Sequence, residues 1–322
     1  EMIIKHQLIH KETALWNIHF PSSQKDIKEA LKYLKYEEFL KFQLTMQLIK
    51  QERDAEIGIE KHIDYQKLQN FILKLPFSLT TDQRTVTKEI VEDLQKPQMM
   101  YRFLQGDVGS GKTVVSSIAL YANYLAGYQG ALMVPTEILA RQHYQTLQRF
   151  FKGTDVRIVL LTGSLSISQK ERLYEELKSG VVDIVVGTHA LFQKKVEYYN
   201  LGFVITDEQH RFGVNQRKAL KNKGNQVDFL IMSATPIPRT LAISMYGDMD
   251  VSTIKTKPAG RMPIQTQYIK GSSMKPILAH LKDYLAVGGQ CYVICPLVDE
   301  SENLDVKSVS QVAEAMQKYF LN

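Results

Sequence analysis

Cysteine is scarce in this chain: Cys291 and Cys295 are the two in 322 residues. They sit in Cys291-Tyr292-Val293-Ile294-Cys295, which reads as a buried strand. Four steps along a strand span about 13 Å, too far for a mutual disulfide or a shared metal. The pair therefore reads as two core thiols, and such low cysteine use fits a reducing cytosol. A continuous apolar run of the roughly 18 residues a membrane helix needs is also missing. The first residues, Glu1-Met2-Ile3-Ile4-Lys5, lack the apolar core of a leader peptide and a natural start, so the chain reads as cut from a longer one. Charge of one sign is lacking as well. Lys plus Arg is 40 against 34 Asp plus Glu, a net +6 that permits a polyanionic partner without demonstrating one. There is no internal repeat and no low-complexity tract.

What is present falls into three textures. Residues 1–75 are rich in Lys, Gln and long side chains. Pro21-Ser22-Ser23-Gln24-Lys25-Asp26 looks like a helix start, with Ser23 and Asp26 spaced as a variant capping box. Ile27, Leu31 and Leu34, then Leu40, Leu44 and Leu48, mark one face of a long helix, with a break or phase shift near Tyr36. Such a helix has no core of its own and should pack on something else. Over residues 76–257, apolar runs read as buried strands: Met99–Leu104, Ala131–Val134, Ile158–Leu161, Ile184–Val186, Leu201–Thr206 and Phe229–Met232. Helical segments between most of them imply an α/β domain with a parallel sheet, whose ligands sit at the carboxyl ends of the strands. Lys255–Arg261 contains a Lys-Pro-Ala-Gly-Arg linker signal. Residues 258–322 then read as strand Ile264–Ile269, a helix near Ser273–Leu285, strand Cys291–Cys295 and a helix near Val309–Phe320, an incomplete second α/β unit.

The most specific signal is Gly106-Asp107-Val108-Gly109-Ser110-Gly111-Lys112-Thr113, which matches G-x-x-x-x-G-K-[ST] between a strand and a helix. Glycines let backbone N–H groups turn inward around phosphates, and the following helix points its positive end at them. Lys112 would reach the outer phosphates of ATP and Thr113 would ligate Mg²⁺. After three intervening strands, Leu201–Thr206 ends in Asp207-Glu208-Gln209-His210. Asp207 is placed to hold Mg²⁺, and Glu208 to polarise the attacking water.

With Asp-Glu-x-His after a phosphate loop, the chain resembles the superfamily 2 helicases and translocases. The run Asp207 to Val214, with Arg211-Phe212-Gly213, is similar to that of the branch-migrating RecG family. Phe77 to Gln83 resembles the adenine-recognition motif, which implies Phe77 at the base and Gln83 as its reader. Pro135-Thr136-Glu137-Ile138-Leu139-Ala140, with Gly163-Ser164 and Thr188-His189, resembles three strand-contact motifs. The small side chains suit close approach to phosphates, fixing position without reading sequence. Ser233-Ala234-Thr235 resembles the coupling motif, with His210 as relay and the Arg211–Gly213 loop tying DNA engagement to hydrolysis. Ile18-His19-Phe20-Pro21 and Tyr36-Glu37-Glu38 resemble the segment after the family's wedge domain, so the resemblance covers residues 14–322.

The resemblance implies two RecA-like domains: a helical linker over 1–75, a complete first domain over 76–257 and part of a second over 258–322. It implies an ATP- and Mg²⁺-dependent helicase acting on branched, single- or double-stranded DNA in recombination and repair. It also implies a monomer in the bacterial cytoplasm, with single-stranded-DNA-binding protein as a candidate partner. Two departures bear on activity. The late Gln-x-x-Gly-Arg-x-Gly-Arg run, which carries arginine fingers, is not among these residues, and the wedge is almost wholly absent. The expectation is ATP binding with very slow turnover and weak junction preference. Two alternatives stay open: a transcription-repair coupling translocase, and a nucleotide- or DNA-binding module without turnover. The Gly109-Ser110-Gly111 context and Gln209 favour the RecG type over the first.

Overall fold

The computed structural model describes residues 5–54, 57–207, 226–234, 249–256, 264–266, 268, 275–295 and 309–320. The chain divides into two compact units, Glu1–Arg261 and Met262–Asn322.

The first unit opens with α1 (Lys11–His19) and α2 (Gln24–Asp54). Ser23 Oγ accepts from Asp26 N at 3.2 Å and Asp26 Oδ2 accepts from Ser22 N at 3.1 Å, a reciprocal cap close to the one expected. The helix runs unbroken through Tyr36. Neither proline nor glycine interrupts it there, and Glu37 is paired with Lys41 one turn on and with Lys11 of α1. Its cover is partial: Ala30 is buried, whereas Leu31, Leu44 and Leu48 of the predicted apolar stripe are exposed.

A short extended stretch then joins α2 to the sheet domain. Gly58 N donates to Pro97 O at 2.8 Å, and a Cβ at Gly58 would run into the Gln98–Met99 backbone, so only glycine fits this approach. Lys61 follows. Its fully buried ammonium bonds the Asp228 carboxylate and donates to Gly202 O at 2.9 Å, over the ring of Tyr128. Burial pushes the Lys61 amine down and the Asp228 carboxyl up.

α3 (Tyr65–Leu73) and α4 (Thr81–Leu94) lead to β1 (Tyr101–Gly106) and α5 (Lys112–Leu125). There follow β2 (Gln129–Met133), α6 (Glu137–Phe150), β3 (Ile158–Leu161), α7 (Ile167–Lys178), β4 (Ile184–Gly187), a 3₁₀ turn at His189–Phe192, β5 (Leu201–Asp207), β6 (Asp228–Ser233) and β7 (Asp250–Ile254). The seven strands form one parallel sheet in the order β3-β4-β2-β5-β6-β1-β7. Alternate residues serve opposite faces. Leu132, Phe203 and Ile205 join one core with α4, α5 and α6, while Ala131, Met133 and Val204 join another with α7. Burial on both faces is why the strands read as unbroken apolar runs. Each fully buried Leu or Ile adds on the order of 2 kcal/mol.

β7 is an edge strand that the sequence reading missed. Its Ser252 is buried against Arg102 of β1, whose guanidinium also pairs with Asp93 (2.6 Å) and Glu89 (3.2 Å) of α4.

In the second unit, α8 (Lys275–Ala286) and α9 (Val309–Phe320) fall where helices were expected. The two strands do not. Residues 264–266 and 268 are outside any strand, with Tyr268 88% exposed. Cys291–Cys295 is not a strand either: Cys291 is exposed and Ile294 is 93% exposed. The reading of two core thiols is therefore corrected. An apolar run becomes a strand only with a ladder partner, and none pairs with it among the described residues.

Candidate functional site

The motifs gather on the carboxyl edge of the sheet. Gly106 closes β1 and the phosphate loop runs directly into α5. Gly109 and Gly111 have φ of 75° and 91°, backbone that only glycine adopts without strain. A Cβ on Gly111 would also collide with Gln83 Nε2. Lys112 Nζ donates to Gly106 O at 2.7 Å and Asp107 O at 3.1 Å, which keeps the ammonium over the loop. Thr113 is in the first turn of α5, and Ser110 Oγ is buried with no hydrogen-bond partner among the described residues.

Gln83 is 3% exposed. Its Oε1 accepts from Thr80 N at 2.9 Å, completing the capping box of α4, and its Nε2 donates to Ser110 O at 2.8 Å. The expected base reader is thus fastened to the phosphate loop itself. Phe77 is exposed nearby in sequence, its ring edge-on to Phe150 at 5.8 Å. The residue before Gln83 has a task that the sequence reading missed. Asp82 Oδ2 accepts from Lys255 N (2.8 Å) and Thr256 N (2.7 Å), where the chain leaves β7. Hydrogen bonds from Thr256 first, then Lys255, hold its carboxyl below the ordinary carboxylate value.

Asp207 ends β5. Between β5 and β1 lies β6, which ends in Ser233: Gln105 is in register with Ser233, and Asp207 with Met232. Ser233 therefore sits between the phosphate-loop strand and the Asp207 strand, with Ala234 half-buried beyond it. Glu208, His210, Arg211, Phe212, Gly213 and Thr235 lie outside the described residues.

The other half of the edge carries the small-residue motifs. Pro135 and Thr136 follow β2, Gly163 and Ser164 follow β3, and Thr188 and His189 follow β4; these three strands are neighbours. Thr136 caps α6 by accepting from Leu139 N at 3.3 Å. Glu137 Oε1 accepts from Ser164 N at 3.1 Å, and Arg141 Nη2 is 3.2 Å from Ser164 Oγ, so two of the motifs are joined directly. The Ser164 side chain first, then its backbone N–H, keeps the Glu137 carboxyl low. The edge is thus divided: the phosphate loop, Ser233 and Asp207 at the ends of β1, β6 and β5, and exposed or half-buried residues just past β3, β4 and β2.

A side-chain contact also crosses the divide, beside the β2–β5 ladder. His143, on α6, is 8% exposed, and its Nε2 is 3.0 Å from Asp207 Oδ2. The sequence reading missed it. Ala140, His143 and Leu147 are the buried stripe of α6, and a histidine on such a stripe looks like core.

The donor set suits Mg²⁺ with a nucleotide triphosphate. The Thr113 hydroxyl and the Asp207 carboxylate offer hard oxygen donors of the kind Mg²⁺ takes, and added Cβ atoms on Gly106 and Gly111 would run into Ser110 and Gln83. Among the described residues no helix is long and apolar enough to cross a membrane.

Residues 80–243 match the family model of the DEAD/DEAH box helicases. The chain is 51% identical over 308 residues to the ATP-dependent DNA helicase RecG of Bacillus subtilis, covering 95% of this chain and 45% of that one. Against the protein of the same name from Staphylococcus aureus it is 46% identical over 322 residues, covering 99% and 47%. The chain spans about half the length of the curated relatives it matches. A solved structure of RecG bound to a three-way DNA junction superposes with a TM-score of 0.84 at 40% identity, covering 99% of this chain and 42% of that one. The helicase MrfA bound to DNA, at 17% identity and a TM-score of 0.52 over 72% of this chain and 36% of its own, shares the fold.

Proposed function

The chain belongs to the DEAD/DEAH box helicase family, and on that premise we propose that it is the ATP-binding motor region of a RecG-type DNA helicase that remodels branched DNA. The observation that carries this reading is the divided edge: a nucleotide half and a strand-contact half on one parallel sheet, side by side. The RecG name of the relatives and the three-way DNA junction bound in the solved one support branched DNA as the substrate class; stalled forks and Holliday junctions are the members of it that the proposal names.

In this account Lys112 neutralises the outer phosphates of ATP, and the loop from Gly106 through Asp107, Val108, Gly109, Ser110 and Gly111 wraps them. Phe77 stacks on the base and Gln83 senses it. Thr113 and Asp207 would hold Mg²⁺, which supplies charge neutralisation at the phosphates. Glu208 orients water, and His210 relays the state of the site to Ser233, Ala234 and Thr235. Pro135, Thr136, Gly163, Ser164, Thr188 and His189 grip a DNA backbone. Arg211, Phe212 and Gly213 couple that grip to hydrolysis. The division into a linker (1–75), a first RecA-like domain (76–257) and the start of a second (258–322) belongs to the same reading. A cytoplasmic monomer working beside a single-stranded-DNA-binding protein is part of the same proposal.

The test is Glu208→Gln in the full-length protein. Retained ATP binding with loss of hydrolysis and of fork unwinding is expected; normal turnover would reject the assignment.

A further inference from the structure

The His143–Asp207 contact joins the helix that begins on the strand-contact half to the nucleotide half through a charged group. An ionised carboxylate only accepts hydrogen bonds, so His143 must carry its proton on Nε2 to make the 3.0 Å bond to Asp207 Oδ2. The imidazole is almost wholly buried, and its Nδ1 has no partner among the described residues. A buried ring with one committed nitrogen and one idle one is an expensive way to fill a core position that leucine would fill. What the ring supplies, and an apolar residue would not, is a fixed donor on one oxygen of Asp207.

We propose that His143 is a positioning residue: its Nε2–H holds Asp207 Oδ2 and leaves Oδ1 as the oxygen that meets Mg²⁺, directly or through water. This rests on the reading of Asp207 as a metal-holding carboxylate. The clamp is carried by α6, whose first turn contains Glu137 bonded to Ser164, with Thr136 as its cap. The rise from Glu137 to His143 is about 9 Å along one rigid helix. Carboxylates that ligate metals are in general held by hydrogen bonds from behind in this way.

The test uses this chain, a fluorescent ATP analogue and a Mg²⁺ titration, with binding rather than hydrolysis as the signal. Glutamine places an amide donor near the imidazole Nε2; asparagine reaches only as far as Nδ1. His143→Asn should therefore raise the Mg²⁺ concentration for half-maximal binding about tenfold, the worth of one charge-assisted hydrogen bond. His143→Gln should stay within about threefold of the wild type on the same scale. All three should bind the analogue equally in EDTA. An Asn variant that titrates like the wild type overturns the proposal. So does a Gln variant as impaired as Asn, because that pattern marks packing.

Two controls separate the possible failures. Lys112→Ala should lose binding at every Mg²⁺ concentration; if it does not, the nucleotide-site reading itself is wrong. If it does and only the histidine series is flat, the positioning role alone falls. The second measurement needs no folded Asn variant. In the ¹⁵N-histidine-labelled wild-type chain, the Nε2–H resonance missing from His143→Gln should be present and should shift when Mg²⁺ is added to the nucleotide-bound chain. An absent or unmoved resonance contradicts the proposal.

Discussion

The side-chain amide of Gln83 donates to the carbonyl oxygen of Ser110 at 2.8 Å, so α4 is tied to the phosphate loop from outside it. The same amide caps its own helix through Thr80. A base read by Gln83 would therefore be felt in the loop that holds the phosphates. Gln83→Leu removes the donor and leaves Ser110 O without that bond, at a cost of about 1–2 kcal/mol in loop order. ATP affinity should fall about five- to thirtyfold, with the difference between ATP and GTP shrinking; competition titrations check both. Gly111→Ala should do worse, since a Cβ there meets both a φ of 91° and the Gln83 side chain.

Asp82 fixes the exit of β7 through Lys255 and Thr256. Its carboxyl is held below the ordinary value, so the stability it lends is complete above about pH 4 and is lost as the pH falls further. The wild-type chain should thus lose more stability between pH 5 and pH 3 than Asp82→Asn does. Urea unfolding at the two pH values gives the difference; equal losses would mean that the carboxylate charge is not what holds Lys255 and Thr256.

Buried Lys61 ties the stretch after α2 to the starts of β5 and β6 through Gly202 and Asp228. Lys61→Met leaves Asp228 buried and unpaired, and should cost about 3–5 kcal/mol in denaturant unfolding. Adding Asp228→Asn should recover more than half of that. A single variant as stable as the wild type would show that the pair is dispensable.

Much of this architecture could be read in the residues themselves. The phosphate loop is legible because its chemistry demands glycines, lysine and a hydroxyl at fixed spacing between a strand and a helix. β2 to β6 are legible because burial on both faces makes unbroken apolar runs, with ends displaced by a residue or two. β7 is not, because Asp250-Val251-Ser252-Thr253-Ile254 hides its burial behind Ser252, whose partner Arg102 is 150 residues away. Lys61 and His143 were illegible for the same reason: a lone polar residue gives no local sign that a carboxylate waits for it across the fold. Cys291–Cys295 misled in the opposite direction, since apolar composition alone cannot supply a neighbouring strand.

On the strand-contact half, Glu137 places its carboxylate on the backbone N–H of Ser164, a donor that the sequence reading offered to a DNA phosphate. Negative charge there opposes a phosphate. Glu137→Gln should tighten binding of a single-stranded oligonucleotide about threefold at low salt, with the gain fading as salt rises. Fluorescence anisotropy measures it. Weaker binding would mean that Glu137 instead shapes the contact surface.

ATP binding by the loop from Gly106 to Thr113 can be measured on this chain by itself. The most direct test is titration calorimetry of the purified chain with ATP and Mg²⁺, beside Lys112→Ala. Saturable one-to-one binding by the wild type, weakened at least tenfold in the variant through loss of a charge-assisted bond to phosphate, is the predicted result. Equal affinities in the two, or no binding by the wild type, would show that this loop does not hold ATP.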